Sequence, residues 1–213
     1  TMTAVNIVSN NSNYTNLATV GDNVTVTFTS SETITTPSVL IGGQSATVSG
    51  SGTSWSAVKA MASGDTEGII SIAIDAIDLS DNIGTTATAT TDNSQVTLDR
   101  TAPTLAINIA SDNSTTTLAK PGDDVTLTVT SSENLYQAPT ATIDGNAASV
   151  SPSTQTTSYT ATRTMASGDT DGAVAFVLSG VTDLAGNTVS NVTATTDASS
   201  VRFDSVAPTV DAI

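Results

Sequence analysis

The chain has 213 residues, 20 acidic against 5 basic side chains, a net charge of −15, and neither His nor Cys. A field of that sign repels phosphate backbones and anionic lipid heads, so nucleic acid and membrane surfaces are excluded as expected partners and divalent cations are favoured. Without Cys there are no disulfides or thiolate metal sites, and without His the usual zinc ligand and general base are missing.

Taken in chain order, "TMTAVNIV" has no basic n-region, and no stretch approaches the roughly 18 apolar residues of a membrane helix. If the protein is exported, its signal is expected outside this sequence. Abundant Thr, Val and Ser favour strands, because β-branched side chains fit a pleated surface and crowd a helix. The first clear strand lies in "GDNVTVTFTSSE" (21 to 32), where Val24, Val26 and Phe28 alternate with Thr25, Thr27 and Thr29. The same period of two runs through Val39 and Ile41, through Ile70, Ile72 and Ile74, and through Val96 and Leu98. Turn signals separate them: "SSET", "IGGQ", "GSGT", "SGDTEG" and "DLSDN". The Gly42-Gly43 pair suits a tight hairpin that needs positive φ. About seven short strands in about 100 residues predict a two-sheet sandwich, with strands of about ten to twelve residues.

The pattern then starts again. "GDDVTLTVTSSE" (122 to 133) repeats 21 to 32, "MASGDTDG" (165 to 172) repeats "MASGDTEG" (61 to 68), "TATTD" (88 to 92) returns at 193 to 197, and "VTLDRTAPT" (96 to 104) becomes "VRFDSVAPT" (201 to 209). A repeat of this length is the size of an independent domain. The chain is read as two copies of one module, residues 1–103 and 104–213, the final "APTVDAI" beginning a further copy. The predicted fold class is all-β, two tandem immunoglobulin-like sandwiches arranged end to end, and a monomer.

"GDxVTxTxTSSE", "ASGDTDG", "DLAGN" (183 to 187), "TATTD" and "FDSVAPT", in that order, resemble the bacterial Ig-like repeats of giant surface adhesins, the large biofilm-associated proteins of the RTX kind. That resemblance implies an extracellular extender on the bacterial cell surface, in which calcium stiffens the joints between neighbouring repeats. Copy one departs from it with "DLSDN" (78 to 82) where copy two has "DLAGN".

Strand order places the acids without help from the resemblance. Loops of such a sandwich alternate between two poles, so "GDN", "SGDTEG" and the exit "LDRTAPT" are expected at the lower pole, "SSET" and "DLSDN" at the upper. The lower pole of copy one is then expected to face the upper pole of copy two, where Glu133 and Asp183 join Asp99. Converging carboxylates repel one another unless an oxygen-seeking cation neutralises them, and Ca²⁺ takes six to eight oxygens. Asp99, Asp204, Glu32, Glu133, Asp78 and Asp183 are read as calcium ligands because they fall at junctions. For Asp22, Asp65, Asp123 and Asp169, ligation and simple turn-making both stay open. Asp92 and Asp197 are expected only to bend a long final strand.

Trp55 and its counterpart Tyr159 are read as half-buried packing aromatics, and Tyr14 and Tyr136, one in each copy, as surface decoration. Outward Thr rows solvate a β face. Three function classes follow: a structural spacer, a ligand-binding adhesin module recognising a glycan or protein, and an enzyme. Without His or Cys the nucleophilic triads are excluded, and short turns do not build a cleft for a carboxylate pair. Every conspicuous feature is duplicated, which favours the spacer.

Overall fold

The computed structural model describes residues 1–210; 211–213, the last of the residues read as beginning a further copy, lie outside the described residues. No helix is long and apolar enough to cross a membrane among the described residues. The chain divides into unit 1, Thr1–Thr101 with Leu184–Asn187, and unit 2, Ala102–Asp183 with Thr188 onward.

Unit 1 contains β1 (Met2–Ser9), β2 (Leu17–Ala18), β3 (Asn23–Ser30), β4 (Ser38–Ile41), β5 (Gln44–Ser45), β6 (Thr47–Ser51), β7 (Ser54–Ala60), β8 (Gly68–Ile69), β9 (Ile72–Asp75) and β10 (Thr97–Leu98). One sheet has the order β1-β3-β7-β6, antiparallel throughout. The other ladders are β2-β10-β8 and β5-β4-β9. β8 and β9 are two halves of one strand interrupted at Ile70 and Ser71, where the Ile70 N–H donates to the Val96 carbonyl and the Ser71 carbonyl accepts from the Gly42 N–H. The two short ladders are thus one sheet broken in its middle, with β2 running parallel to β10. This is the order of an immunoglobulin-like sandwich.

Unit 2 repeats it with β11 (Leu105–Ser111), β12 (Leu118–Ala119), β13 (Asp124–Ser131), β14 (Thr140–Ile143), β15 (Asn146–Ala147), β16 (Ser149–Ser151), β17 (Ser158–Thr164), β18 (Gly172–Ala173), β19 (Phe176–Ser179) and β20 (Arg202–Phe203). Its sheets are β11-β13-β17-β16, β12-β20-β18 and β15-β14-β19. The expected strand length is corrected here, because the longest strands have 8 residues.

Alternation builds both cores. Val24, Val26 and Phe28 on β3 and Val125, Leu127 and Val129 on β13 are buried, while their Thr neighbours are exposed or half-buried. They meet Val39, Ile41, Ile72 and Ile74 from the second sheet of unit 1, and Ile143, Phe176 and Leu178 from that of unit 2. Each side chain of this size contributes about 1.5–3 kcal/mol on burial. Trp55 and Tyr159 are buried packing aromatics: the Trp55 indole donates to the Gly52 carbonyl at 3.2 Å and the Tyr159 hydroxyl to the Thr154 carbonyl at 3.2 Å. Tyr14 is exposed, but Tyr136 is half-buried. The paired hairpins at Gly42-Gly43 and Asp144-Gly145 take positive φ at both positions, 61° and 75°, 50° and 72°.

The repeated "TTD" segment corrects another expectation. The last strands are only Thr97–Leu98 and Arg202–Phe203, so there is no long strand for Asp92 and Asp197 to bend. β1 is an edge strand, and residues 91 to 94 cover it. The Val5 and Ile7 N–H groups donate to the Thr91 and Ser94 hydroxyls, both at 2.9 Å. Asp92 shapes that cover, accepting from the Ser94 N–H at 3.0 Å and from the Asn6 amide at 2.7 Å. In unit 2 the Ile107 and Ile109 N–H groups reach Thr196 and Ser199 at 2.8 and 2.9 Å, and Asp197 accepts from Ser199 and Asn108. Hydrogen bonding from Ser94 and Ser199 first, then from Asn6 and Asn108, lowers both carboxyls to about 2.

Candidate cation ligands at the acidic turns

The repeated phrase "SGDTEG" or "SGDTDG" holds two acids with separate tasks. Asp65 accepts from the Ala62 N–H at 2.8 Å and from the Lys59 ammonium on β7, which closes the turn. In unit 2, Asp169 accepts from the Ala166 N–H at 2.7 Å and from the Arg163 guanidinium at 2.6 Å. The cation's hydrogen bond is the main reason that both carboxyls lie below the ordinary Asp range. These ion pairs are largely buried, with side chains 8 to 12% exposed. Each therefore has a resident counter-charge, and of the two readings left open above the geometry is that of a turn lock.

The second acid was not anticipated. Glu67 accepts from the Arg100 N–H at 2.8 Å and the Thr101 hydroxyl at 2.8 Å, and Asp171 from the Ser205 N–H at 2.7 Å. Thr101 first and then the Arg100 N–H lower the Glu67 carboxyl. The turn thus grips the segment by which the chain leaves each sandwich. An acid repeated at the last non-glycine position of the phrase was the available signal.

Asp22 and Asp123 serve turns as well. Asp22 accepts from the Asn11 amide at 2.7 Å and the Thr19 N–H at 2.8 Å. Asp123 accepts from Asn113 at 2.7 Å and from the Lys120 N–H and ammonium at 2.9 Å each. Asn113 and then Lys120 lower the Asp123 carboxyl to about 2.

The remaining acids occupy loop positions that correspond between the copies. Asp99 and Asp204 follow the final strands; Asp99 Oδ1 accepts from the Thr101 N–H at 3.0 Å and Asp204 Oδ1 from the Val206 N–H at 2.9 Å. Asp99 is half-buried and Asp204 exposed. At the upper pole of unit 1, exposed Glu32 and half-buried Asp78 line one recess of about 130 Å³ with Thr1 and Asn82. Asp78 is turned inward on its own loop, accepting from the Ser80 and Asn82 N–H groups at 2.7 and 2.9 Å and from the Asn82 amide at 2.8 Å. The Asn82 side chain is the main cause of its lowered carboxyl. In unit 2 the corresponding acids are half-buried Glu133 and Asp183, which is 0% exposed and bridged to Leu135.

Immediately after Asp183, the segment Leu184–Asn187 belongs to unit 1. There Asn11 donates to the Ala185 carbonyl at 2.7 Å, Asn13 to the Leu184 carbonyl at 3.4 Å, Thr19 to Asn187 Oδ1 at 2.5 Å, and the Asn187 amide to the Asp99 carbonyl at 3.2 Å. The difference between "DLSDN" and "DLAGN" leaves the backbone alike, since Asp81 (φ 65°) and Gly186 (φ 100°) share the left-handed region.

A recess of about 470 Å³ lies beside Trp55, lined among others by Asn6, Phe28, Thr29 and Asp92. Trp55 itself is 7% exposed and presents no open stacking face for a sugar.

No protein-family model matches the chain, and no curated protein matches it. Among solved structures it is similar to a chimeric titin Z1Z2-Z1Z2 tandem functionalised with a GRGDS peptide from fibronectin, at 16% identity and TM-score 0.31, covering 90% of this chain and 94% of that one. It is similar to the D00-D0 domain of intimin at 14% identity and TM-score 0.32, covering 93% and 99%. It is also similar to BcpA, the major pilin subunit of Bacillus cereus, at 9% identity and TM-score 0.24, covering 95% and 69%. Scores at this level add nothing to the fold, which stands on the sheets themselves.

Proposed function

We propose that the chain is a structural extender, a stalk segment of a large adhesin on the bacterial cell surface, and that calcium held by Asp99, Glu133 and Asp183 stiffens the junction between its repeats. It is not an enzyme on this reading, since His and Cys are lacking and the acids are spent on turns and strand edges. The observation that carries the proposal is Leu184–Asn187, a loop of copy two by sequence that completes unit 1.

The cation follows from charge. A net charge of −15 makes a divalent cation the favoured neutraliser where carboxylates gather in loops. Asp183 precedes Leu184 directly, and Asn187, at the far end of that segment, bonds the Asp99 carbonyl. Glu32, Asp78 and Asp204, at the corresponding positions of the two copies, would serve the same way. Asp65 and Asp169 are not carried into the proposal, because their own cations already neutralise them.

The test is melting of the intact chain with calcium and with EDTA. At roughly 10 mM calcium a site of about 0.1 mM affinity adds about 2.7 kcal/mol, several degrees in Tm. Asp99→Asn should remove most of that gain, leave both sandwiches folded, and lower the maximum dimension seen by small-angle scattering. Curves identical in calcium and EDTA would defeat the cation. A reproducible glycan-array signal lost in Trp55→Ala would move the function to a ligand-binding adhesin module.

A further inference from the structure

The segment by which the chain leaves each sandwich is held from two sides. In unit 1 the Thr97 N–H donates to the Asn16 carbonyl and the Asp99 N–H to the Ala18 carbonyl, both at 2.9 Å, along β2, which runs parallel to β10. On the other side Leu98 pairs with Gly68 on β8, and just beyond it the Arg100 N–H and the Thr101 hydroxyl both donate to Glu67 Oε1 at 2.8 Å. The Arg100 guanidinium reaches the Ser63 carbonyl of the same turn. In unit 2 the Arg202 and Asp204 N–H groups donate to the Thr117 and Ala119 carbonyls at 2.8 and 2.9 Å, and the Ser205 N–H to Asp171 at 2.7 Å.

The turn that receives these bonds is itself tied into the larger sheet. Asp65 is ion-paired to Lys59 on β7, and the Met61 N–H donates to the Asp22 carbonyl at 2.8 Å. Asp169 with Arg163 on β17, and the Met165 N–H with the Asp123 carbonyl at 2.8 Å, repeat both ties. β7 and β17 are interior strands of their sheets. A continuous path of bonds therefore leads from the exit through the turn into the middle of a four-stranded sheet. Tension directed along β10 stretches the β2 bonds and the Glu67 bonds together, because both sets lie along one short segment, whereas a sideways pull would open them in turn.

We propose that the SGDTEG turn is a load-bearing anchor, in which Glu67 and Asp65 carry tension from the exit segment into β7 and Asp171 and Asp169 carry it into β17. This rests on the extender reading and adds to it a mechanical function that needs no bound cation. Among the described residues the exit of unit 1 makes three bonds to its turn and that of unit 2 makes one, so unit 1 is the stronger under load.

The test is single-molecule pulling on the full chain in EDTA, with a handle at each end. Forced unfolding reports the rate of the opening step, so the expected record has two events of unequal force. Glu67→Ala should lower the higher force by at least a quarter, and Asp171→Ala should lower the other; both side chains are exposed, so the sandwiches stay folded. A second geometry separates load-bearing from general stability. With the chain start and Thr53→Cys, on the hairpin between β6 and β7, as pulling points, the exit of unit 1 carries no load, and Glu67→Ala should leave the force within about a tenth of its original value. The chain has no Cys of its own, so that handle is unique. An equal loss in both geometries, or no loss in either, overturns the proposal. The extender reading fails separately, on the glycan array, and the calcium reading on the melting curves.

Discussion

The loops 78–82 and 183–187 share a turn and differ in burial. Leu79 and Asp78 are exposed and half-buried, while Leu184 is half-buried and Asp183 fully buried. The turn itself is written locally, in an Asp at its start and a residue tolerating positive φ at its fourth position, whether Asp81 or Gly186. Burial is decided by what lies around the loop, and Leu184–Asn187 has the Asn11, Asn13 and Thr19 side chains around it. Local conformation and functional exposure are therefore separable, and each can be altered without the other.

The strongest break of the comparison is to empty one core. Leu127, 0% exposed at the centre of β13, should cost about 3 kcal/mol as Leu127→Ala. Calorimetry should show one transition falling sharply. The single Trp, Trp55, lies in unit 1, so its fluorescence transition should stay within about 2 °C of the original. A fluorescence transition that falls with the calorimetric one would mean the two cores melt as one unit.

A smaller effect is expected at the turn locks. Asp169→Asn removes a charged hydrogen bond to Arg163 and should destabilise unit 2 by about 1.5 kcal/mol; Asp65→Asn should do the same to unit 1 through Lys59. Both carboxyls are lowered in the folded chain, so their stabilisation is complete above the unfolded value of about 4 and is lost as pH falls through the folded values. The difference in Tm between the original chain and each variant should be constant from pH 7 to 5 and shrink below pH 4. Taking the difference cancels the relief of self-repulsion in so acidic a chain. A difference that grows on acidification would reverse the sign of the linkage.

These residues also mark what could be read beforehand. Val24, Val26 and Phe28, with their repeat at Val125, Leu127 and Val129, announced the sandwich because a period of two has one physical use. The placement of acids at turns was legible too, but not their partners. Lys59 and Asp65 lie on different sides of a turn whose closure depends on backbone bonds such as that from the Asp65 N–H to the Ala62 carbonyl, and nothing in composition says that a Lys will fold back to meet it. The role of Glu67 is not legible in the sequence because it depends on Thr101, 34 positions away. Thr91 and Ser94 are two hydroxyls among many in a chain rich in Thr and Ser, and only the edge position of β1 makes them ladder partners. The Glu67 and β1 contacts are distant in sequence, which local periodicity does not encode.

The finest test concerns one residue in each edge cover. Asn93 and Ala198 occupy the same place between the Asp and the Ser of the "TTD" segment, both at φ 61°. Asn tolerates that left-handed conformation because its short polar side chain can bond locally, whereas the Cβ of Ala crowds the following carbonyl. Both side chains are exposed, so neither packing nor burial enters. Ala198→Asn should therefore stabilise unit 2 by about 0.5–1 kcal/mol, a rise of about 2–5 °C in its transition, and Asn93→Ala should lower unit 1 by a similar amount. The exchanges leave the Thr196 and Ser199 bonds to β11 in place, as amide exchange at Ile107 and Ile109 would show. If Ala198→Asn leaves the melting of unit 2 unchanged, the strain at this position is absorbed elsewhere and the two covers are equivalent despite their sequences.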